Sequence, residues 1–192
     1  MSLENLVGVY AEATPQEMQE GMAWYDQAHE IVRDLATKHD MPIEVVAGAM
    51  AALSPRVRWS SNIKDTKALL DAWAKGETDV PLTAFRRNQE KAVAIIEGQS
   101  TEPLSGDKVC SFAKCIADPG HPDEVVIDTH AYNAWAGDRV ICGGKGPRVA
   151  GKRYKAVAED YRLLAKIMGT SPSQAQAVVW LTWKRMIGEE RP

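Results

Sequence analysis

The sequence predicts an all-α protein, one domain of about eight helices in the manner of a helical core packed around itself. Three observations carry this expectation. Apolar residues recur at helical spacing in segment after segment, helix-start and helix-stop residues bracket those segments, and the strand-like run Val125-Val126-Ile127 is only three residues long. A chain of 192 residues is long enough for one well-cored domain and short for two.

Thr14-Pro15 opens the first expected helix, with Thr as cap and Pro at a position whose missing N–H costs nothing. That helix runs to about residue 39 on a stripe of Met18, Met22, Tyr25, Ile31, Val32 and Leu35. Pro42 begins a second, PIEVVAGAMAALS, apolar on nearly every side and therefore expected to be buried. Ser54-Pro55 ends it, because the residue before a proline is pushed out of the α region. A third, amphipathic helix covers about residues 59–75 through Ile63, Ala68, Leu69, Leu70 and Trp73. A polar connection over 76–83 leads to a shorter helix at about 87–97, carrying Ala92, Val93, Ile95 and Ile96 and closed by Gly98. The loop QSTEPLSG precedes DKVCSFAKCIA, which Asp118-Pro119-Gly120 stops. The β-branched run then enters a helix at 129–136. A glycine-rich basic loop, CGGKGPRVAGKR, separates it from a long helix at 153–168 and a last one at 172–187, capped by Ser171.

Charge and cysteine usage exclude several classes of function. The 23 basic and 26 acidic residues leave a formal charge of −3, so no uniform basic field would hold the chain on nucleic acid. Binding of that kind would need a local patch. Arg56, Arg58, Lys64 and Lys67 form one such stretch, and Lys145, Arg148, Lys152, Arg153 and Lys155 another, though either also reads as a solvated face. The three cysteines, Cys110, Cys115 and Cys142, have neither zinc-site spacing nor a four-cysteine cluster. Reduced structural thiols are the expectation, with no metal and no cofactor. Gly143, Gly144 and Gly146 match a phosphate loop in composition alone, since no strand precedes them and no Lys-Ser/Thr pair follows. MSLENLVGVYAEATPQEM lacks the basic start and apolar core of a leader, and no window approaches a membrane span. A soluble, cytoplasmic protein without a membrane partner is expected.

Two elements point to chemistry. In Leu104-Ser105-Gly106-Asp107-Lys108-Val109, a glycine between helices permits a tight turn and leaves N–H groups free at the next helix start. Amides, helix dipole and a basic side chain there can hold a phosphate oxygen. Alternatively, Gly106 is an ordinary turn residue and Lys108 a solvated lysine. Twenty positions on, Asp128 stands at a helix start, where an acid accepts N–H bonds that favour its charged form and hold it rigidly. A carboxylate fixed in this way can stabilise an oxocarbenium-like sugar or orient a nucleophile. A lysine with its pKa lowered by burial can attack an anomeric carbon.

Residues 104–135, LSGDKVCSFAKCIADPGHPDEVVIDTHAYNAW, resemble the core of the helix-hairpin-helix DNA glycosylase superfamily, with the hairpin element at about 88–117 and the aspartate helix at about 128–137. In bifunctional members a glycine-containing hairpin precedes a helix that begins with a catalytic lysine, and an apolar run about twenty residues later ends in V-D-x-H with the catalytic aspartate. Lys108 falls at the lysine position and Asp128 at the aspartate position. GAMAALSPRVRWSSNIKDTKALL is similar to the family's helix, loop and helix that border the base pocket. The resemblance extends over about residues 43–187, its specific part being 108–130. It implies a monomer acting on DNA, duplex or single-stranded, in a bacterial or phage-infected cell. Asp128 and Lys108 would be catalytic, and the amides near Gly106 would hold the strand. Excision of a modified base is the leading expectation. The rivals are a phage-type thymine hypermodification transfer, in which an amine displaces pyrophosphate from an activated 5-hydroxymethyl base, and a non-catalytic module that binds nucleic acid or a host protein.

Further residues border these elements. Ser54, Arg56, Arg58 and Trp59 follow the buried helix. Either arginine can grip phosphate, and Trp59 either stacks on a base or anchors the core. His130 is a second active-site group or a helix-turn histidine bonded to backbone. Asn133 is placed to read a base edge, while one or two of Tyr132, Asn133 and Trp135 face the core. Gln174, Gln176, Trp180 and Trp183 lie on a last helix expected to be structural.

Overall fold

The computed structural model describes residues 2–77, 80–139 and 148–189. Among these the chain is all-α, with nine helices and no strand: α1 (Ser2–Ala11), α2 (Pro15–His39), α3 (Ile43–Leu53), α4 (Trp59–Trp73), α5 (Arg86–Gly98), α6 (Asp107–Ala117), α7 (Thr129–Ala136), α8 (Lys152–Met168) and α9 (Pro172–Met186). No helix among the described residues is long and apolar enough to cross a membrane. The glycines and Lys145 of CGGKGPR lie outside the described residues.

Helix limits follow the local signals closely. α2 starts at Pro15 with Thr14 before it, and α6 and α7 occupy the expected segments. At α9, Ser171 accepts from the Gln174 N–H while the Gln174 side chain accepts from Ser171 N–H, a reciprocal capping box. Two differences have plain causes. α1 was not expected, because its buried residues Leu6, Val9 and Tyr10 make a stripe too short to stand out. α5 runs through Gly98 and ends instead on Gln99, which takes the left-handed conformation at φ 47° and steadies it by donating Nε2 to the Ile96 carbonyl at 2.6 Å.

The chain packs as two compact units, one built from residues up to Gln27 together with those from Asp118 onward, the other from Ala28–Ala117. α2 contributes its first part to the one and its last part to the other. In the second unit α3 is the central rod. Every residue from Val45 to Leu53 is buried, and α4, α5 and α6 pack against it. Gly48 makes room for the connection after α5, since a Cβ there would sit 2.9 Å from Thr101 Cγ2.

The first unit gathers α1, α7, α8, α9 and the start of α2 around Leu6, Ile127, Val157, Tyr161, Leu164 and Val178. Two devices tie α2 to α9. At Gly21 a Cβ would lie 2.6 Å from Val178 Cγ2 and 2.7 Å from Val178 backbone atoms, so only glycine permits the helices to approach this closely. One turn earlier, the fully buried Glu17 accepts from Arg185 Nε at 2.7 Å and from the Thr14 N–H at 2.9 Å. Burial pushes the Glu17 carboxyl up, but the bonds from Arg185 and Thr14 outweigh it and hold it below the ordinary range.

Candidate functional site

The segment leading to Asp128 is buried through Val125, Val126 and Ile127 and is neither helix nor strand. Two of its backbone groups are satisfied by one side chain. Tyr154 of α8 donates its hydroxyl to the Val125 carbonyl at 2.8 Å and accepts from the Ile127 N–H at 3.2 Å. Two turns along α8, Tyr161 donates to the Ala131 carbonyl at 3.0 Å. Burial, aided by the charge of Asp128, pushes the Tyr161 phenol well above its ordinary range. α8 thus fixes the chain on both sides of Asp128.

Asp128 is the N-cap of α7, with extended backbone at φ −93° and ψ −172°. Its Oδ1 accepts from the Ala131 N–H at 2.8 Å. Its Oδ2 accepts from the indole N–H of Trp180 at 2.9 Å. A cap needs only the first of these bonds. The second orients the whole carboxylate and comes from α9, the helix expected to be merely structural. The half-buried group keeps lone pairs beyond these two bonds.

Around Trp180 other polar groups collect. Lys184 Nζ lies 4.8 Å from the centre of its ring, and the His130 ring meets it edge-on at 6.0 Å. His130 does not make the expected backbone bond. Its Nε2 faces Glu189 Oε2 at 3.5 Å, and its Nδ1 is buried without a partner among the described residues. The arrangement is an oriented carboxylate beside an indole, an imidazole and an ammonium, able to stabilise positive charge that develops next to it or to orient a water. Asn133 is not part of it, being buried inside the unit at 6 % exposure.

Lys108 and Gly106 belong to the second unit. Gly106 adopts φ +91°, and its carbonyl accepts from the N–H groups of Val109 and Cys110, both at 3.1 Å, to start α6. Lys108 is exposed in the first turn of α6, so the burial expected to activate its amine is not provided by its own unit. Ser54 donates its hydroxyl to the Ala51 carbonyl at 2.9 Å and finishes α3. Trp59 packs edge-on against Phe112, centroids 6.2 Å apart, the core-anchor alternative. Arg58 is exposed at the N-cap of α4, and Arg56, exposed in the preceding turn, opens on a cavity that Arg87 and Lys91 also line. Trp180, Tyr154, Arg87 and Lys91 were not singled out as site residues from the sequence, because each acquires its meaning from a partner distant along the chain.

Cys110 and Cys115 are free thiols, and among the described residues no three His, Cys, Asp or Glu side chains gather as metal ligands. Fold and site together define an all-α protein with a rigidly held, tryptophan-bonded aspartate at a helix start. The chain belongs to the family described as Family of unknown function (DUF7178), which matches residues 2–186. No curated protein and no solved structure matches it.

Proposed function

We propose that the protein acts on a base in DNA by chemistry like that of the helix-hairpin-helix glycosylases its 104–135 segment resembles, with Asp128 as the reacting carboxylate. The observation that carries this reading is the double fixation of Asp128 by Ala131 and Trp180. In the reaction the glycosidic C–N bond breaks, the base leaves with the electron pair, and Asp128 stabilises the cationic sugar until a nucleophile bonds to its anomeric carbon. Where that nucleophile is the Lys108 amine, the resulting imine is reducible by borohydride.

The exposure of Lys108 favours a second reading in which no protein amine attacks. Here an amine substrate bonds to the methylene carbon of an activated 5-hydroxymethyl base as the C–O bond breaks. Pyrophosphate departs with that electron pair, and the nitrogen gives its surplus proton to solvent.

Borohydride trapping on oligonucleotides carrying an abasic site or modified bases, beside Lys108→Gln, separates the readings, with nucleoside mass spectrometry recording base loss or addition. An adduct absent from Lys108→Gln supports excision with lyase chemistry. An added group on the base supports transfer. Asp128→Asn keeps one oxygen to cap the Ala131 N–H but turns its NH2 toward the Trp180 indole N–H, so it should cost about 1–3 kcal/mol, much as Asp128→Ala should cost about 1–2 kcal/mol. Base release undiminished in Asp128→Asn would refute the role given to Asp128.

A further inference from the structure

The second unit contains a cavity of about 570 Å³ between the turn after α3, the start of α5 and the hairpin before α6, lined in part by Arg56, Phe85, Arg87, Asn88, Lys91 and Ser105. Its size falls in the range of small-ligand sites. We infer that this cavity binds a nucleotide, with the phosphate held among Arg56, Arg87 and Lys91 and the base stacked on Phe85. The assignment deepens the DNA-directed reading above and rests on it for the identity of the strand.

Four independent features converge on an anionic, aromatic ligand. The first is charge. Three cations and no carboxylate line the cavity, and none of the ion pairs among the described residues involves Arg56, Arg87 or Lys91. In a chain of net charge −3, such a concentration of unneutralised positive charge is a local device.

The second is the start of α5. Phe85 is its N-cap and offers no side-chain hydrogen bond, no acid occupies the first turn, and the helix instead begins Arg86-Arg87. Two cations at the positive end of a helix dipole oppose it, the reverse of what stabilises a helix by itself. A bound phosphate reverses the sign of that interaction and receives the helix N-terminus as well.

The third is backbone conformation. Ser54-Pro55-Arg56-Val57 is a turn closed by Val57 N–H to the Ser54 carbonyl at 3.1 Å, with Arg56 at φ +63°. Proline followed by a left-handed residue is the pattern of a type II turn, whose third position favours glycine. Arginine there carries strain, and in return its side chain lines the cavity. Lys91 is held in place as well, since its Nζ donates to Ser105 Oγ at 2.5 Å.

The fourth is Phe85, 57 % exposed and the most open aromatic ring among the large hydrophobic residues on this surface. An exposed ring beside clustered cations is the pairing that single-stranded nucleic-acid sites use, stacking for the base and charge for the backbone. Asn88, buried at the cavity wall, supplies an amide suited to a base edge.

The nucleotide is either a residue of an unpaired strand or a free nucleotide. Fluorescence anisotropy of the full-length protein with labelled single-stranded oligothymidylate, in competition with dTMP or inorganic phosphate, distinguishes them. Phe85→Ala should weaken oligonucleotide binding about 5- to 150-fold. Arg56→Gln with Arg87→Gln should lower affinity and flatten the salt dependence by about 1.4 in log–log slope, from two phosphate contacts. Circular dichroism and thermal melting of each variant establish that the fold is retained. Displacement by dTMP at low concentration assigns the site to a free nucleotide, and displacement by oligonucleotide alone assigns it to a strand.

Inorganic phosphate competing as well as dTMP would overturn the base contact. Wild-type affinity and slope in the folded variants, or no binding of either nucleotide probe by the wild type, would overturn the site. These readouts do not depend on turnover. Loss of binding in Phe85→Ala with no adduct or altered base on any substrate would keep the cavity and reject the proposed chemistry, and wild-type binding by Phe85→Ala alongside normal chemistry would do the reverse.

Discussion

Replacing Glu17 by Gln should destabilise the first unit by about 2–4 kcal/mol at neutral pH, and that loss should shrink in acid. Glu17 is fully buried, with one oxygen 2.7 Å from Arg185 Nε and the other 2.9 Å from the Thr14 N–H. Both partners are donors. Glutamine has one acceptor oxygen, so its NH2 must face either Arg185 or Thr14, turning a charge-assisted bond into a contact between two donors. Losing such a bond costs about 1.5–3 kcal/mol and leaving a buried donor unmatched about 1–3 kcal/mol. Arg185 is 41 % exposed, so water recovers part of its share. It also keeps a bond from Nη2 to the Glu12 carbonyl at 2.7 Å.

The pH dependence has a definite sign. The Glu17 carboxyl is held low in the folded chain, so its contribution is complete above the unfolded value of about 4.3 and is lost as pH falls through the lower folded value. Urea unfolding of wild type and Glu17→Gln at pH 7, 5, 4 and 3 should give a constant gap between pH 7 and 5 and a narrowing one below about pH 4. A gap as wide at pH 3 as at pH 7, or one below about 0.5 kcal/mol at pH 7, would refute the argument.

Two further substitutions test the supports of the site. Gly21→Ala places a methyl 2.6–2.7 Å from Val178 side-chain and backbone atoms; despite the better helix propensity of alanine, it should cost about 1–3 kcal/mol or more in a denaturant melt, and a stabilised variant would refute the close approach. Tyr154→Phe strands the Val125 carbonyl and the Ile127 N–H inside the core. It should cost about 1–3 kcal/mol and speed hydrogen exchange of the Ile127 amide, which unchanged exchange would contradict.

The all-α architecture was legible because its signals are local. Helix caps act within four residues, so Thr14-Pro15, Gly106, Asp128 and Ser171 mark starts that hold in the structure. The near-continuous apolar surface of α3 announces its burial for the same reason, since a helix without a polar face has no side to show water. Asp128 as a cap followed from sequence, as did Arg56 as an exposed residue beside a buried helix. α1 escaped notice because a two-turn stripe barely exceeds chance, and Gly98 misled because Gln99 can adopt the same left-handed conformation with its own side chain as support.

What local pattern cannot encode is the choice of distant partner. Trp180 meets Asp128 across 52 residues, Arg185 meets Glu17 across 168, and Arg56, Arg87 and Lys91 reach one cavity from two separate segments. By itself the sequence determined where eight of the nine described helices lie, which faces they bury and where an acid would cap one of them, since these depend on backbone propensity and on hydrophobic spacing within a few turns. Tertiary packing alone decided that Asp128 is held by an indole, that Glu17 is buried and paired with Arg185, and that three scattered cations share one cavity, because those outcomes turn on which helix faces come to lie against each other.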